Sequence, residues 1–331
     1  MRAELRDALE FPFADARVGA RPVEAMALDV ARGGLISVHL VLESLPAGGK
    51  VSLALRQGGR PVTGGRWFRL RHVPVEVNTG PVGFIERDGQ TNPYVIRRAP
   101  FRVYDAMEPV GASFASVETP TVVRLHLPVP ADARAGRRQY VVQVAAGGDR
   151  LELGLDVTVH GAVIPPVGGG SLPYTNWFTL DYMATRHGLK PWSDAHWRMV
   201  RKYAELMAHG RQNTFWIPLG YVFAARRGVP VLDRPRLRRL VSTFTRAGLH
   251  YVEGGHVAGR TGGEWSATTF DTTVVRARAT SPEGNAVLAH LGRQLTEEID
   301  RHGWRDRWIQ HVTDEPTDSN AVDYRILTGM T

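Results

Sequence analysis

The sequence predicts an N-terminal antiparallel β-sandwich followed by the first half of a TIM-like (β/α)8 barrel. Three observations favour this fold class. Short runs of alternating apolar and polar residues fill positions 23–164, apolar runs alternate with amphipathic helical stretches from residue 172 onward, and Pro and Gly cluster between the two regions. We therefore expect a sandwich domain at 1–165, a linker at 166–171 and an incomplete barrel at 172–331.

The sandwich prediction rests on short apolar runs in the first half of the chain. They include 35–42, 50–55, 122–127, 139–144 and 151–159, and clusters of Gly, Pro and Asp separate them. Alternation of apolar and polar residues is the pattern of a strand with one buried face. Short strands at this spacing are typical of an antiparallel β-sandwich.

The barrel prediction rests on four apolar runs, at 172–180, 214–219, 251–257 and 308–313, with helices between them. Each helix has a capping residue before it and a glycine near its end: Ser193 and Gly210, Asp233 and Gly248, and Ser281 and Gly303. A further helix is expected to start at Asp318 or Ser319. This order of elements indicates a parallel sheet, and the absence of G-x-G-x-x-G and G-x-x-x-x-G-K-S/T motifs favours a barrel over a doubly wound nucleotide-binding sheet.

Composition excludes several classes of protein. The 331 residues include no cysteine, which excludes disulfides, thiolate metal sites and cysteine nucleophiles. No apolar run is long enough to cross a bilayer, and no secretory signal is visible, so a bacterial cytoplasmic location is expected if the amino terminus is genuine. The formal charge of +8 comes from scattered arginines, so no nucleic-acid partner is expected. No cofactor is implied, and the oligomeric state is open.

Asp314 and Glu315 are the candidate catalytic residues. They follow the apolar run 308–313 and precede Pro316. Barrel enzymes carry their active sites at the carboxyl ends of the strands, so these carboxylates lie where acid and base groups are expected. Adjacent strand residues point to opposite faces, so both can reach one substrate only if the backbone turns there. Pro316 favours such a turn.

Seven further residues are candidate substrate contacts: Tyr174, Asn176, Trp177, Trp216, His256, Trp265 and His311. The rings of Trp177 and Trp216 can stack on a sugar, although barrel aromatics are also common packing residues. His256 follows two glycines, which let the backbone turn tightly beside a ligand. His311 can orient the carboxylate pair or satisfy a neighbouring backbone group.

Trp265 lies in the stretch 258–280, which is long for a connection between a strand and a helix. Long loops at this end of a barrel usually serve function. We expect the stretch to overhang the site with Trp265 as a lid residue, or else to form a surface excursion or a small hairpin through 272–275. No metal site is expected, because no tight His-x-x-x-His spacing is present.

Five motifs in a fixed order resemble glycoside hydrolase family 123 and the related domain of unknown function 4091. They are YTNWF at 174–178, SDAHW at 193–197, NTFWIP at 213–218, GGH at 254–256 and HVTDEP at 311–316. The N-terminal part, with its segment 131–136 ahead of the run 139–144, is similar to the module that those proteins carry before the barrel. The resemblance implies a hydrolase that removes β-linked N-acetylgalactosamine from a glycan or glycoconjugate.

The resemblance also implies a substrate-assisted mechanism that retains the anomeric configuration. The 2-acetamido oxygen of the sugar attacks the anomeric carbon, so no carboxylate nucleophile is required. By this resemblance Asp314 holds the acetamido N–H, and Glu315 protonates the departing oxygen and then deprotonates water. The aglycone and the choice between galacto and gluco configuration stay open.

The chain departs from the family in its length. Sixteen residues follow Glu315, whereas an eight-stranded barrel needs four further β/α units there. We therefore expect a C-terminally truncated fragment that lacks residues from later strands, which leaves its own activity open. Two other functions remain: a retaining glycosidase of another family with its nucleophile in the missing half, and a noncatalytic glycan-binding protein.

Overall fold

The computed structural model describes residues 1–46, 48–81, 85–87, 90–117 and 120–331. The chain divides into two compact units, Met1–Pro165 and Pro166–Thr331. Among the helices of these described residues, none is both long and apolar enough to span a membrane.

The first unit consists of two sheets with a shared apolar core. Its strands are β1 (Arg2–Asp7), β2 (Ala25–Arg32), β3 (Leu35–Glu43), β4 (Lys50–Gln57), β5 (Arg60–Pro61), β6 (Arg66–Val75), β7 (Phe101–Val110), β8 (Ser113–Ala115), β9 (Thr121–Pro128), β10 (Gly136–Ala146) and β11 (Asp149–Val163). One sheet has the order β1-β3-β9-β6-β7 and the other β2-β11-β10-β4-β5, with β8 paired to β4. All pairs are antiparallel except β2 with β11.

Alternating side chains build the core of this unit, as the sequence pattern predicts. Val142 lies opposite Leu55 on one neighbouring strand and opposite Leu153 on the other, and all three are buried. Val38 and Leu125 of the facing sheet belong to the same apolar cluster. The five apolar runs noted in the sequence correspond to β3, β4, β9, β10 and β11.

The second unit contains three parallel strands, two hairpins and six helices within residues 166–331, all of which the structure describes. Its elements are α1 (Leu180–Arg186), α2 (Asp194–His209), β12 (Thr214–Ile217), α3 (Leu219–Val222), β13 (Phe223–Arg226), β14 (Val229–Leu232), α4 (Arg234–Ala247), β15 (Tyr251–Gly254), β16 (Ala258–Arg260), β17 (Phe270–Thr272), α5 (Pro282–Arg301), β18 (Trp308–Gln310) and α6 (Ala321–Met330), with 3-10 turns at Thr261–Gly263 and Arg305–Arg307. The parallel sheet has the order β12-β15-β18.

The predicted N-caps of the three long helices are confirmed. Ser193 caps α2 by accepting from His196 N–H, Asp233 caps α4 by accepting from Arg236 N–H, and Ser281 caps α5 by accepting from Gly284 N–H. These side chains satisfy amide groups that have no partner within the helix. The last helix begins at Ala321, so the predicted start at Asp318 or Ser319 is two or three residues too early.

The predicted first strand, 172–180, is wrong. Residues 172–179 form no strand, and α1 already begins at Leu180. The Tyr174 carbonyl accepts from the amides of both Asn213 and Thr214, and the Asn213 side chain accepts from Tyr174 N–H. The Asn213 side chain thus takes the place of a regular ladder of backbone hydrogen bonds beside β12. The parallel sheet has three strands instead of the four predicted. The half barrel as such stays a prediction.

The predicted strands also extend too far, and one hairpin was not predicted. The runs 214–219, 251–257 and 308–313 shorten to β12, β15 and β18. Between β12 and α4 the chain forms the hairpin β13–β14. Arg227 and Gly228 at its tip have φ of 51° and 76°, the conformation of a type I′ turn, for which glycine is favoured.

The stretch 258–280 contains a hairpin as well, earlier than expected. β16 pairs with β17, with Ala258 opposite Thr272 and Arg260 opposite Phe270. The expected position of a small hairpin, 272–275, lies at its end. Phe270 is fully buried, so the returning strand of this excursion is anchored in the helical core.

The helices cover one face of the parallel sheet. Phe215 and Val252 belong to the apolar core that the helices form, and the Phe215 ring stacks on Phe244 of α4 at 4.6 Å between centroids. Successive strand residues point to opposite faces. Trp216 and Glu253 therefore point away from the helices.

His39 makes the stability of the sandwich depend on pH. It lies on β3 with 2% exposure, and neither ring nitrogen has a partner among the described residues. Its pKa is lowered from 6.5 to about 4, chiefly by burial and next by the positive charge of Arg124, while Asp7 raises it and His126 and Arg6 lower it to smaller extents. In the unfolded chain the ring takes up its proton near its ordinary pKa.

We expect the sandwich to lose stability as the pH falls from about 6.5 toward 4, because the unfolded state then binds the extra proton. The loss approaches about 3 kcal/mol at the lower end. His39→Leu should flatten this dependence, and the exposed His160→Leu is the control. Hydrogen–deuterium exchange of peptides that cover β3 and β9, recorded across this pH range, measures it. An equal pH slope in wild type and His39→Leu would contradict the expectation.

Candidate active site

The candidate site lies at the carboxyl ends of the three parallel strands. In the register of the sheet Trp216 of β12 is opposite Glu253 of β15, and Glu253 is opposite Ile309 of β18. These three side chains share the face that the helices leave free. Glu253 is nevertheless only 4% exposed, whereas Ile309 is exposed, so other side chains must cover the carboxylate.

Trp177 provides that cover. Its ring stacks on Trp216 with 5.0 Å between centroids and an interplanar angle of 18°. It also meets His256 and His311 edge to face, at 5.5 and 5.8 Å, and the two histidine rings lie 5.1 Å apart. We call Trp177, Trp216, Glu253, His256 and His311 the aromatic cluster. The structure thus brings together four of the predicted contact residues.

Glu253 is a candidate site residue that the sequence reasoning missed. Its Oε1 accepts a hydrogen bond of 2.9 Å from the Trp177 indole N–H, and His311 Nε2 lies 2.9 Å from the same oxygen. The signal for it was present in the sequence, since Glu253 is the one charged residue in the apolar run 251–257. A carboxylate in a predicted buried strand requires a partner or a function.

His256 is held neutral by its surroundings. Burial lowers its pKa, the charge of His311 lowers it further, and the negative charges of Asp314 and Glu253 oppose this shift. Neutral His256 can either donate or accept at Nε2, depending on its tautomer.

Asp314 and Glu315 were predicted to lie directly at the end of a strand. They lie instead in the loop 311–320, which follows β18. Asp314 is half-buried and Glu315 is exposed. Glu315 has φ of +40°, a left-handed conformation that non-glycine residues seldom adopt outside tight turns. The backbone therefore turns between the two carboxylates, as expected if both serve one substrate.

The loop 311–320 is tied to the stretch 258–280 at three points. At its start the Val312 carbonyl accepts from the amide of Ala258, and at its end the Asn320 side chain donates to the Ala267 carbonyl. Between these points Arg260 Nη2 donates to the Glu315 carbonyl. The position of the carboxylate pair therefore depends on the neighbouring hairpin.

Trp265 shares this arrangement, because the Arg260 guanidinium lies over its ring at 4.1 Å from the centroid. The Trp265 side chain is 62% exposed. Arg260 thus links the predicted lid residue to the backbone of the carboxylate pair. A cation–π contact of this kind favours a defined position of an exposed ring.

Tyr174 and Asn176 contact residues 212–214 at the start of β12 and do not join the aromatic cluster. Asn176 Nδ2 donates to the Tyr174 hydroxyl at 2.6 Å and to Gln212 Oε1 at 3.4 Å. Within residues 166–331, neither side chain has a hydrogen bond or ring contact with the cluster. Among the residues that the structure describes, no group of three or more His, Asp and Glu is placed to hold a metal ion.

No family model matches the sequence, and no curated protein matches it. The structure is similar to that of a family 123 glycoside hydrolase from Clostridium perfringens, which was analysed for its hydrolysis of glycolipid glycans. The TM-score is 0.73 and the identity 9%, and the similarity covers 99% of this chain and 60% of that chain. The fold is thus that of this hydrolase, of whose length the chain spans 60%.

Two lytic polysaccharide monooxygenases also match part of the structure. The catalytic domain from Listeria monocytogenes is 11% identical with a TM-score of 0.17, covering 41% of this chain and 61% of that chain. The protein from Streptomyces lividans is 11% identical with a TM-score of 0.16, covering 40% of this chain and 59% of that chain. TM-scores this low do not establish a shared fold.

The glycines before His256 are required by close packing. A Cβ atom on Gly255 would lie 2.7 Å from Pro218 Cα and 3.0 Å from the Ile217 carbonyl oxygen. Both are backbone atoms that cannot yield without moving β12. The Gly255 N–H also donates to that carbonyl, so this approach fixes His256 beside Trp216.

We expect Gly255→Ala to destabilise the second unit by about 1–3 kcal/mol, because the added methyl group forces the backbones apart. Gly259→Ala is the matched control, since a Cβ there would have no atom within 4 Å. Denaturant unfolding followed by tryptophan fluorescence compares the two variants. Equal unfolding midpoints would contradict the packing argument.

Proposed function

We propose that this protein is a glycoside hydrolase that removes β-linked N-acetylgalactosamine by a substrate-assisted retaining mechanism. The observation that carries the proposal is the turn at Glu315. The turn lies in the loop that follows β18, and His311 at the start of this loop contacts Trp177 of the stacked tryptophan pair. The similarity of the fold to a family 123 glycoside hydrolase supports it.

In the proposed first step the 2-acetamido oxygen of the sugar attacks its anomeric carbon, and the bond to the departing oxygen breaks. Glu315 donates its proton to that oxygen, while Asp314 accepts a hydrogen bond from the acetamido N–H and stabilises the positive charge that develops. The ring closed by the acetamido group is the intermediate. No carboxylate nucleophile is needed.

In the second step a water molecule attacks the anomeric carbon from the face that the leaving group vacated. Glu315 takes the proton of this water, and the bond to the acetamido oxygen breaks. Two inversions at one carbon give net retention. Glu315 acts as acid and then as base, which suits an exposed side chain that both the leaving group and water can reach.

The remaining predicted residues have binding roles in this proposal. Trp177 and Trp216 line the sugar site, and His256 and His311 provide polar contacts beside them. Tyr174 and Asn176 stay proposed substrate contacts, although their own bonds are to residues 212–214 at the start of β12. Trp265 covers the bound sugar, positioned through Arg260. The sandwich of residues 1–165 and the unit of residues 172–331, joined by a linker at 166–171, are proposed to be separate domains.

We expect Glu315→Gln and Asp314→Asn each to lower the rate of hydrolysis of an aryl 2-acetamido-2-deoxy-β-galactoside roughly 10²–10⁴-fold, because each removes one proton-transfer or charge-stabilising group. Asp318→Asn, an exposed carboxylate of the same loop, is the control. Nitrophenol release measures the rate. A galacto-configured thiazoline that mimics the cyclised intermediate should inhibit the wild-type protein.

Two results would argue against this mechanism. Full activity of Glu315→Gln would remove that residue from acid–base catalysis. Turnover that the thiazoline does not inhibit would point to a carboxylate nucleophile and to another retaining glycosidase.

For Trp265 we expect an alanine substitution to raise KM, because the exposed ring and its Arg260 contact are lost while the core is unaffected. Tyr182→Ala removes a comparably exposed ring on α1 that contacts Arg186 instead, and it should leave KM unchanged. Steady-state kinetics with the aryl glycoside compare both variants. An unchanged KM in Trp265→Ala would exclude a lid role.

A further inference from the structure

Three polar atoms of the aromatic cluster are buried without a hydrogen-bond partner among the residues that the structure describes. They are Trp216 Nε1, Glu253 Oε2 and His256 Nε2. Native proteins rarely leave buried polar atoms unpaired, because each has lost its water without gaining a hydrogen bond. Three such atoms on two neighbouring strands and the turn that follows indicate that a ligand, and not the protein, completes their hydrogen bonds.

The three atoms belong to side chains that contact one another. Trp216 and Glu253 are direct neighbours across β12 and β15, and the Trp216 and His256 rings lie 6.0 Å apart. The other carboxylate oxygen of Glu253 is already occupied by Trp177 N–H and His311. Oε2 is therefore fixed in orientation while its own acceptor capacity is unused.

Trp177 is the group most easily moved from this cluster. Its ring is 44% exposed and lies on the face of Trp216. It belongs to residues 172–179, which form no strand, and its one hydrogen bond within residues 166–331 is the indole bond to Glu253. The ring thus occupies a position against Glu253 and Trp216 that a sugar ring would fit.

The chemistry of the three atoms selects hydroxyl groups. Glu253 Oε2 only accepts, Trp216 Nε1 only donates, and neutral His256 can do either. A hydroxyl group both donates and accepts, so adjacent hydroxyls can satisfy all three atoms. An anion would be repelled by Glu253, and an ammonium ion would leave the Trp216 N–H unpaired.

We propose that Glu253, Trp216 and His256 form a subsite for the hydroxyl groups of a pyranose, and that Trp177 covers it in the free protein. Sugar binding displaces the Trp177 ring, and the sugar takes its place over Glu253 with its hydroxyl groups toward the ring edge of Trp216. The identity of the sugar rests on the proposed function, but the subsite is testable without turnover. Glu253 is in this view a specificity-determining residue.

The experiment is calorimetric titration of the full chain with methyl 2-acetamido-2-deoxy-β-galactoside. Glu253→Gln and Trp216→Phe should each weaken binding about tenfold or more, since each leaves a sugar hydroxyl facing an unmatched group. In Glu253→Gln the amide oxygen can still accept from Trp177 while an NH₂ group replaces the acceptor Oε2. Trp308→Phe, on the opposite face of β18, is the control and should bind as the wild type does.

Trp177→Phe distinguishes a cover from a simple platform. It keeps a ring over Trp216 but removes the indole bond that holds the ring to Glu253. The sugar should therefore bind more tightly to Trp177→Phe than to the wild type, because the cover is displaced at lower cost. Weaker binding to this variant would make Trp177 a fixed platform and overturn the displacement.

The hydroxyl that meets Glu253 can be identified with the 3-deoxy, 4-deoxy and 6-deoxy analogues. One of them should bind wild type and Glu253→Gln equally, because the partner of Glu253 is already missing. No binding of the parent glycoside, unchanged affinity in Glu253→Gln and Trp216→Phe, or competition by tetramethylammonium would each overturn the subsite. Binding that depends on Glu253 without hydrolysis would retain the subsite and refute only the proposed reaction.

Discussion

The alternation of side chains across three short parallel strands is the constraint on which the site depends. One face of the sheet is committed to the helices through Phe215, Phe244 and Val252. Every second residue must then point the other way. This is why Trp216 and Glu253 lie side by side, although 36 residues separate them in the sequence. The packing of the helices on one face of the sheet therefore determines that Trp216 and Glu253 share the other face.

A polar group placed in this way has to be compensated. Burial of a carboxylate without partners is strongly unfavourable, and Glu253 finds its compensation in the indole of Trp177 and in His311. Both partners come from irregular segments, 172–179 and 311–320. The carboxylate therefore organises two loops that the sheet alone would not position. The catalytic pair of the proposed mechanism lies within the second of these loops.

Local signals in the sequence predicted local structure well. The caps at Ser193, Asp233 and Ser281 could be located because each side chain accepts a hydrogen bond from the amide only three residues later in the sequence. The apolar run 172–180 could not be assigned in the same way, because Asn213, 39 residues from Tyr174, decides its backbone bonding. Glu253 was overlooked because its role exists only once Trp177 covers it. Periodicity indicates which face of a strand a residue occupies, but not which side chains from distant segments contact it there.

The ties between the loop 311–320 and the stretch 258–280 join the two segments into one cooperative unit. Val312, Glu315 and Asn320 each use a bond to a residue of that stretch. Local opening of the hairpin must therefore break contacts of the carboxylate turn as well, so the two segments open together and not independently. Whatever orders the exposed hairpin also reduces the population in which Glu315 leaves its left-handed conformation. The conformation of the turn at Glu315 therefore depends on contacts with residues of the stretch 258–280, which lie outside the turn.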